Sequence, residues 1–164
     1  YLNTNKYEEA LKLGAACGSA TAFSSDLATK DYIDRLVNEI EVKNIKYDYS
    51  LQNYSAYDAI INKKVVCQGY ATLTYKMLTE LGVNCRYISG TSDEGPHAWN
   101  IVRIGDVWYN LDNTWDASYT RGPFLSYKHF LKSNNDFTNH IRSDEFNTSS
   151  FNSEYPMSQT SYTK

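Results

Sequence analysis

Cysteine and histidine are scarce in this chain, which limits the disulfide and metal chemistry that it can carry. The 164 residues include three cysteines, at positions 17, 67 and 85, and three histidines. This small, odd number of cysteines excludes a disulfide framework as the organising principle, although one bridge remains possible. No Cys-x-x-Cys pair and no His-x-x-x-His spacing occurs. We therefore predict neither a metal site nor a cofactor.

An excess of positive charge and long apolar runs are also missing. Lys and Arg number 16 against 19 Asp and Glu, which gives a net charge of −3 and disfavours a nucleic-acid partner. No apolar run approaches the ~20 residues needed to cross a bilayer, so we expect no membrane insertion. With 41% hydrophobic and 21% charged residues, the composition is typical of a globular protein.

The length of the chain is that of one domain, and we expect that domain to be monomeric. We predict a single domain over residues 1–164, with its core at about 29–132 and a loop-rich C-terminal segment at 133–164. The chain starts at Tyr1 rather than Met, so we expect it to belong to a longer protein, with any targeting signal removed.

Residue spacing predicts helices first and strands afterwards. Helical patterns cover three stretches: 29–43, 56–62 and 67–81. Strand-forming residues fill three later stretches: 83–90, 97–104 and 107–112. Ser55 and Asp58 form a capping box before the second helix, and Gly82 lies at the stop position of the third. This order indicates an α+β fold with an antiparallel sheet.

Cys67 lies at the predicted first turn of the 67–81 helix. The partial positive charge at a helix N-terminus favours a thiolate, which is the nucleophilic form of cysteine. Gln68 follows it, and Gly69 has no side chain, so a substrate backbone could approach closely there. The alternative is that Cys67 is a small buried hydrophobic residue, which is how we interpret Cys17 and Cys85.

His97 and Asp112 are predicted to share one face of a β-hairpin. A two-residue loop at Gly105-Asp106 pairs residue i with residue 211 − i, which places Trp99 opposite Asp112. His97 lies on the Trp99 face, so His97 and Asp112 become diagonal neighbours within hydrogen-bond reach. A carboxylate in that position orients the imidazole and stabilises its charged form.

A thiol, an imidazole and a carboxylate in these positions match a nucleophile, its general base and the residue that orients the base. The reaction they suit is acyl transfer through a thioester, which is then resolved by water or by an amine. The competing hypothesis is a catalytically idle binding module, because the fifteen tyrosines would suit a surface that grips a polymer.

The stretch 65–116 resembles the core of the transglutaminase-like superfamily. The matching pieces are, in chain order, Val66-Cys67-Gln68-Gly69-Tyr70-Ala71, Leu81-Gly82-Val83, Gly90, His97-Ala98-Trp99-Asn100 and Trp108-Tyr109-x-x-Asp112-x-Thr114-Trp115-Asp116. Looser similarity to the bacterial branch extends over about 30–140, with Tyr47-Asp48, Ser55-Ala-Tyr57-Asp58-Ala and Phe130-Leu131-Lys132-Ser133.

This resemblance implies a papain-like arrangement, in which the Cys helix packs on an antiparallel sheet that carries the His and the Asp. It assigns the catalytic triad to Cys67, His97 and Asp112. Trp99 shares the predicted strand face of His97, and on that ground we expect it to form a wall of the site. Animal transglutaminases use a Trp upstream of the Cys as oxyanion donor, and none occurs here. Three upstream tyrosines are alternatives: Tyr47, Tyr49 and Tyr54.

The same resemblance implies a protein or peptide substrate, with cell-wall-associated substrates among the candidates, and a cysteine protease or a cross-linking enzyme. Bacterial relatives of this kind are often exported, so we expect a secreted or cell-surface location.

Overall fold

A four-stranded antiparallel sheet forms the centre of the computed structural model, which describes residues 45–119 and 126–163. Its strands, numbered in chain order, are β3 (Cys85–Ser92), β4 (Gly95–Ile104), β5 (Val107–Leu111) and β6 (His140–Arg142). They lie in the order β5-β4-β3-β6. The predicted helix at 29–43 and Cys17 lie outside the described residues.

Two short paired strands and a helix precede Cys67 in the chain. Strand β1 (Lys46–Tyr47) pairs in parallel with β2 (Lys64–Val65), and helix α1 (Ala56–Asn62) connects them. Ser55 caps α1 as predicted, because its side chain accepts from the Asp58 N–H while the Asp58 carboxylate accepts from the Ser55 N–H. The pairing of β1 with β2 sets Tyr47 beside Val65, two residues before Cys67.

Helix α2 (Cys67–Glu80) starts and ends where the sequence predicts, to within a residue. Gly82 follows with φ of 74°, a left-handed conformation that glycine adopts at helix ends without steric cost. The buried face of the helix packs on the sheet in a cluster that includes Leu78, Val102 and Leu111. Burial of this apolar surface holds the start of α2 in a fixed place relative to β4.

The β4–β5 hairpin has the predicted register. Asn100 pairs with Leu111 and Val102 with Tyr109, so paired residues sum to 211 around the Gly105-Asp106 turn. Gly105 has φ of 60°, which a two-residue hairpin loop with Gly in this position requires. The α+β class and the antiparallel sheet behind the Cys67 helix are thus confirmed.

The C-terminal segment is more ordered than the predicted loop-rich stretch. It supplies strand β6, a short 3-10 helix (Asp144–Phe146) and helix α4 (Ser149–Glu154), whereas α3 (Asn113–Tyr119) follows β5. Phe151 and Tyr155 pack with Trp99, Ile101 and Trp108 on the sheet face opposite α2. The segment therefore covers the second face of the sheet and adds its fourth strand.

Among the described residues, no helix combines the length and the apolar character that crossing a membrane requires.

Candidate active site

The structure brings Cys67, His97 and Asp112 together. Cys67 is the first residue of α2, His97 lies near the start of β4, and Asp112 directly follows β5. His97 Nε2 is 2.8 Å from Asp112 Oδ2, and Cys67 lies close enough to the imidazole to raise its pKa. Because Nε2 faces the carboxylate, Nδ1 is the ring nitrogen left for the sulfur.

Asp112 is fully buried, yet its surroundings favour the charged form. Its Oδ1 accepts from the backbone N–H groups of Thr114 and Trp115, at 2.9 and 3.2 Å, in the first turn of α3. Burial alone would raise the pKa of Asp112, but hydrogen bonds from His140 and His97 lower it to about 2. The carboxylate therefore stays ionised over the physiological pH range.

That charge determines the protonation of His97. Burial alone would lower the pKa of His97, but the hydrogen bonds to Asp112 and Cys67, with the negative charge of both groups, raise it to about 9. A protonated imidazole beside the sulfur is the partner that an ion-paired thiolate needs.

Cys67 is the accessible member of this group. Its side chain is partly exposed, whereas His97 and Asp112 have 8% and 0% of their surface exposed. Val66 precedes α2 and has no side-chain oxygen with which to cap it, so the N-cap side chain satisfies none of the N–H groups of the first turn. Gln68 is exposed beside the thiol, where a substrate could contact it.

Gly69 has a different role from the one predicted. A Cβ at this position would lie 1.7 Å from Val65 Cγ2 and 3.2 Å from the Ser55 carbonyl oxygen. The space beside Gly69 is therefore filled by the protein itself and offers no room to a substrate backbone. The glycine lets α2 approach β2 and the start of α1 closely.

Trp99 supports the site from within the core. The sequence predicts it as a wall of the active site, but only 1% of its surface is exposed, so a substrate cannot contact it. Its ring stacks near His97, with centroids 6.1 Å apart, and its Nε1 donates to Asn110 Oδ1 at 3.4 Å. Trp115 is also buried, with its centroid 5.6 Å from that of His97.

Of the three tyrosines proposed as oxyanion donors, Tyr47 has the strongest link to Cys67. Burial raises the pKa of Tyr47, and the negative charge of Cys67 raises it further. Tyr49 is 86% exposed and Tyr54 is 45% exposed. Asp48, which is buried, shapes this loop by accepting from the backbone N–H groups of Ser50, Gln52 and Asn53.

A second histidine, which the sequence pattern does not reveal, contacts the Asp112 carboxylate. His140 Nε2 lies 3.0 Å from Asp112 Oδ2, and the imidazole is 1% exposed. His129 lies nearby with its ring centroid 6.1 Å from that of His140, so all three histidines of the chain gather in one buried cluster. Separation in sequence hides this cluster, because His140 follows His97 by 43 residues.

This cluster contains the one set of metal-ligand side chains found among residues 45–119 and 126–163. His97, Asp112 and His140 each offer one ligand atom, and these atoms lie within 4.8 Å of one another. The separations of 2.8 and 3.0 Å from Asp112 Oδ2 are hydrogen-bond lengths, and all three side chains are shielded from water. Hydrogen bonds between these side chains account for the spacing. The absence of a metal from this site remains a prediction.

Comparison with known families agrees with this geometry. The family model of the transglutaminase-like superfamily matches residues 18–113, which include Cys67, His97 and Asp112. The chain belongs to the transglutaminase-like superfamily. Kyphoscoliosis peptidase of Homo sapiens is 30% identical over 92 residues, and that of Mus musculus is 32% identical over 78 residues. These matches cover 45% and 40% of the chain but only 14% and 12% of the relatives.

Solved structures of the superfamily share the fold. One is a TGase, with a TM-score of 0.51 and 18% identity over 79% of this chain and 38% of that chain. Another is a candidate cysteine protease from Cytophaga hutchinsonii, with a TM-score of 0.53 and 18% identity over 80% of this chain and 40% of that chain. The chain thus spans less than half the length of either structure.

Proposed function

We propose that this transglutaminase-like domain is a thiol enzyme that acts on amide carbonyls of proteins or peptides, with Cys67, His97 and Asp112 as its catalytic triad. The observation that carries the proposal is the position of His97, which is 2.8 Å from the Asp112 carboxylate and close enough to Cys67 for that side chain to raise the pKa of His97. The exposure pattern supports it as well, because the thiol is accessible while the ion pair behind it is protected from water.

In the first half of the reaction, the Cys67 thiolate attacks the carbonyl carbon of the substrate. A C–S bond forms as the C=O π electrons move to the oxygen. When the tetrahedral intermediate collapses, the C–N bond breaks and protonated His97 donates its proton to the leaving amine. Cys67 now carries the acyl group as a thioester, and the ion pair of Asp112 with His97 has returned to a neutral imidazole beside a carboxylate.

In the second half, neutral His97 accepts a proton from the incoming nucleophile. Water gives a carboxylic acid and makes the domain a peptidase or amidase, whereas a primary amine gives a new amide and makes it a cross-linking enzyme. Either nucleophile breaks the C–S bond and restores the thiolate and the imidazolium. The relatives include both a peptidase and a TGase, so both outcomes are consistent with the family.

The developing oxyanion needs donors, and we assign them to the Cys67 backbone N–H and the Tyr47 hydroxyl. The N–H lies in the first turn of α2, where no intrahelical acceptor exists for it. Tyr47 is held beside Val65 by the β1–β2 pairing, and its phenol interacts electrostatically with Cys67. Burial raises the pKa of Tyr87, and the charge of Cys67 raises it further.

A catalytically idle binding module is the second candidate. Exposed aromatic and aliphatic side chains on the loop and helix before Cys67 favour it: Tyr49, Leu51, Tyr54, Tyr57 and Ile60. Such a surface could grip a polymer without chemistry. Under this alternative, Cys67 would behave as an ordinary thiol and its replacement would leave the function of the domain unchanged.

The test is the pH dependence of Cys67 alkylation by iodoacetamide, followed by mass spectrometry of the Cys67 peptide. We expect fast alkylation well below pH 8 and loss of this reactivity in His97→Ala. Cys85→Ser is the matched control, because Cys85 is buried and burial raises its pKa. A Cys67 thiol that titrates near 8.5, as a free cysteine does, would contradict the proposal and favour the binding module.

A further inference from the structure

The side chain of His140 makes one polar contact, and this contact is with the carboxylate that His97 also contacts. Its Nε2 is 3.0 Å from Oδ2 of Asp112, the same oxygen that lies 2.8 Å from His97 Nε2. The pairing of β6 with β3 holds it there, since His140 lies opposite Ser92 in the register. A residue near the C-terminal end of the described chain therefore contacts the group that orients the catalytic base.

The surroundings of His140 determine which of its ring nitrogens carries the proton. An ionised carboxylate only accepts hydrogen bonds, so Nε2 of His140 must carry the hydrogen. The other nitrogen, Nδ1, is buried and has no hydrogen-bond partner, and the ring stacks on Phe137 with centroids 3.8 Å apart. A second proton on Nδ1 would be an unsatisfied buried donor, so the neutral Nε2–H form fits this site.

Burial and the neighbouring histidines also favour the neutral form of His140. Burial lowers the pKa of His140, the Asp112 carboxylate opposes that effect, and His97 and His129 lower it further. His97 is the imidazole that becomes charged beside Asp112, so a second positive charge on His140 would be repelled. Of the two histidines that donate to Asp112 Oδ2, His97 is therefore the charged one and His140 the neutral one.

We propose that His140 is a positioning residue, which donates its Nε2–H to Oδ2 of Asp112 and so keeps the carboxylate ionised and aimed at His97. This inference rests on the proposed function, because the carboxylate matters through its effect on His97 and Cys67. The two backbone donors on Oδ1 and the two imidazoles on Oδ2 leave the Asp112 side chain no freedom to rotate. The C-terminal segment therefore completes the active site.

The test compares two substitutions at this position. His140→Phe keeps a ring of similar size and removes the donor, whereas His140→Gln places an amide N–H near the position of Nε2. We expect the pH near 9 at which the alkylation profile of Cys67 reports loss of the His97 proton to fall by about one unit in His140→Phe, as for a loss of about one pKa unit at His97, and to recover in His140→Gln. Phe151→Leu is the control for packing, because Phe151 lies in the same segment and does not contact Asp112.

The outcomes separate the two proposals. Wild-type protein whose Cys67 reacts as an ordinary thiol would overturn the proposed function. Reactive wild-type protein with an unchanged alkylation profile in folded His140→Phe would overturn only the role of His140. Equal downward shifts of the alkylation profile in His140→Gln and Phe151→Leu would also overturn it, because packing alone would then account for the effect.

A measurement on the unmodified protein covers the case in which His140→Phe does not fold. Nitrogen-15 NMR of the histidine rings distinguishes the two neutral tautomers and the charged form. We expect His140 in the Nε2–H form from pH 6 to 8, with no titration in that range. An Nδ1–H tautomer or a charged ring would overturn the inference, since neither is consistent with the single contact to Asp112.

Discussion

Asn100 donates a hydrogen bond from Nδ2 to the carbonyl oxygen of Ala71, 3.1 Å away, across the interface between β4 and α2. The same amide donates to the Arg86 carbonyl at 3.3 Å, and Asn100 is almost fully buried. Asn100 lies three residues after His97 on β4, and Ala71 lies four residues after Cys67 on α2. This contact therefore joins the strand that carries His97 to the helix that begins at Cys67.

Loss of the Asn100 hydrogen bonds should lower the stability of the protein and the reactivity of Cys67. We expect Asn100→Ala to lower the free energy of unfolding by about 1–3 kcal/mol, because two carbonyl groups lose a buried donor. Cys67 alkylation at pH 6.5 should fall at the same time, since α2 can shift relative to His97. Urea unfolding and iodoacetamide kinetics measure the two effects. Ile88→Val, a fully buried change on β3, should cost about 0.5–1.5 kcal/mol and leave alkylation unchanged.

The pairing of His97 with Asp112 was predictable because it depends on local rules. The Gly105-Asp106 turn fixes the register of the hairpin, and the period of two along a strand fixes which residues share a face. The start of α2 at Cys67 follows from its apolar spacing and from Gly82 at its end. Local geometry thus predicted the pairing of two members of the proposed triad, and the resemblance to a family linked them to Cys67.

The role of His140 was not predictable because it depends on a long-range pairing of a very short strand. Strand β6 has three residues, too few for an alternating pattern, and it pairs with β3 about fifty residues earlier. The exposure of its residues is also the reverse of what their polarity predicts, because the apolar Ile141 is 68% exposed while the polar His140 lies inside the protein. The rule that places apolar residues inwards would orient this strand the wrong way.

Gly69 should tolerate no side chain for reasons of packing. We expect Gly69→Ala to lower the free energy of unfolding by about 1–3 kcal/mol, because its Cβ would overlap Val65, which is fully buried. Adding Val65→Ala should recover part of this loss by opening the space, and thermal unfolding of the two single variants and the double variant measures the coupling. Strictly additive losses would show that the contact with Val65 is not the cause.

Tyr47→Phe should separate oxyanion stabilisation from activation of the thiol. The ring and its packing remain, but the hydroxyl is lost, so we expect acylation of Cys67 by p-nitrophenyl acetate to slow by about tenfold to a hundredfold. Alkylation by iodoacetamide forms no oxyanion and should change little. Stopped-flow release of p-nitrophenolate gives the first rate, and Tyr49→Phe, at a highly exposed position, is the matched control. Equal slowing of both reactions would instead indicate a displaced Cys67.

The stability that the His97 proton contributes should fall as the pH rises from about 6.5 to 9. The pKa of His97 is about 9 in the folded protein and about 6.5 in an unfolded chain, so only the folded state holds this proton between those values. The stabilisation is complete below pH 6.5 and is lost as the pH passes 9, by at most about 3 kcal/mol. His140, whose pKa burial lowers, changes its contribution below this range. The proposed Cys67 thiolate would offset this slope, because it holds one proton fewer than the unfolded thiol. Urea unfolding at pH 6.5, 7.5 and 9 is therefore measured in Cys67→Ser, and the slope should flatten when His97→Gln is added, because glutamine does not titrate. An equal slope in both proteins would show that His97 does not hold its proton in the folded state.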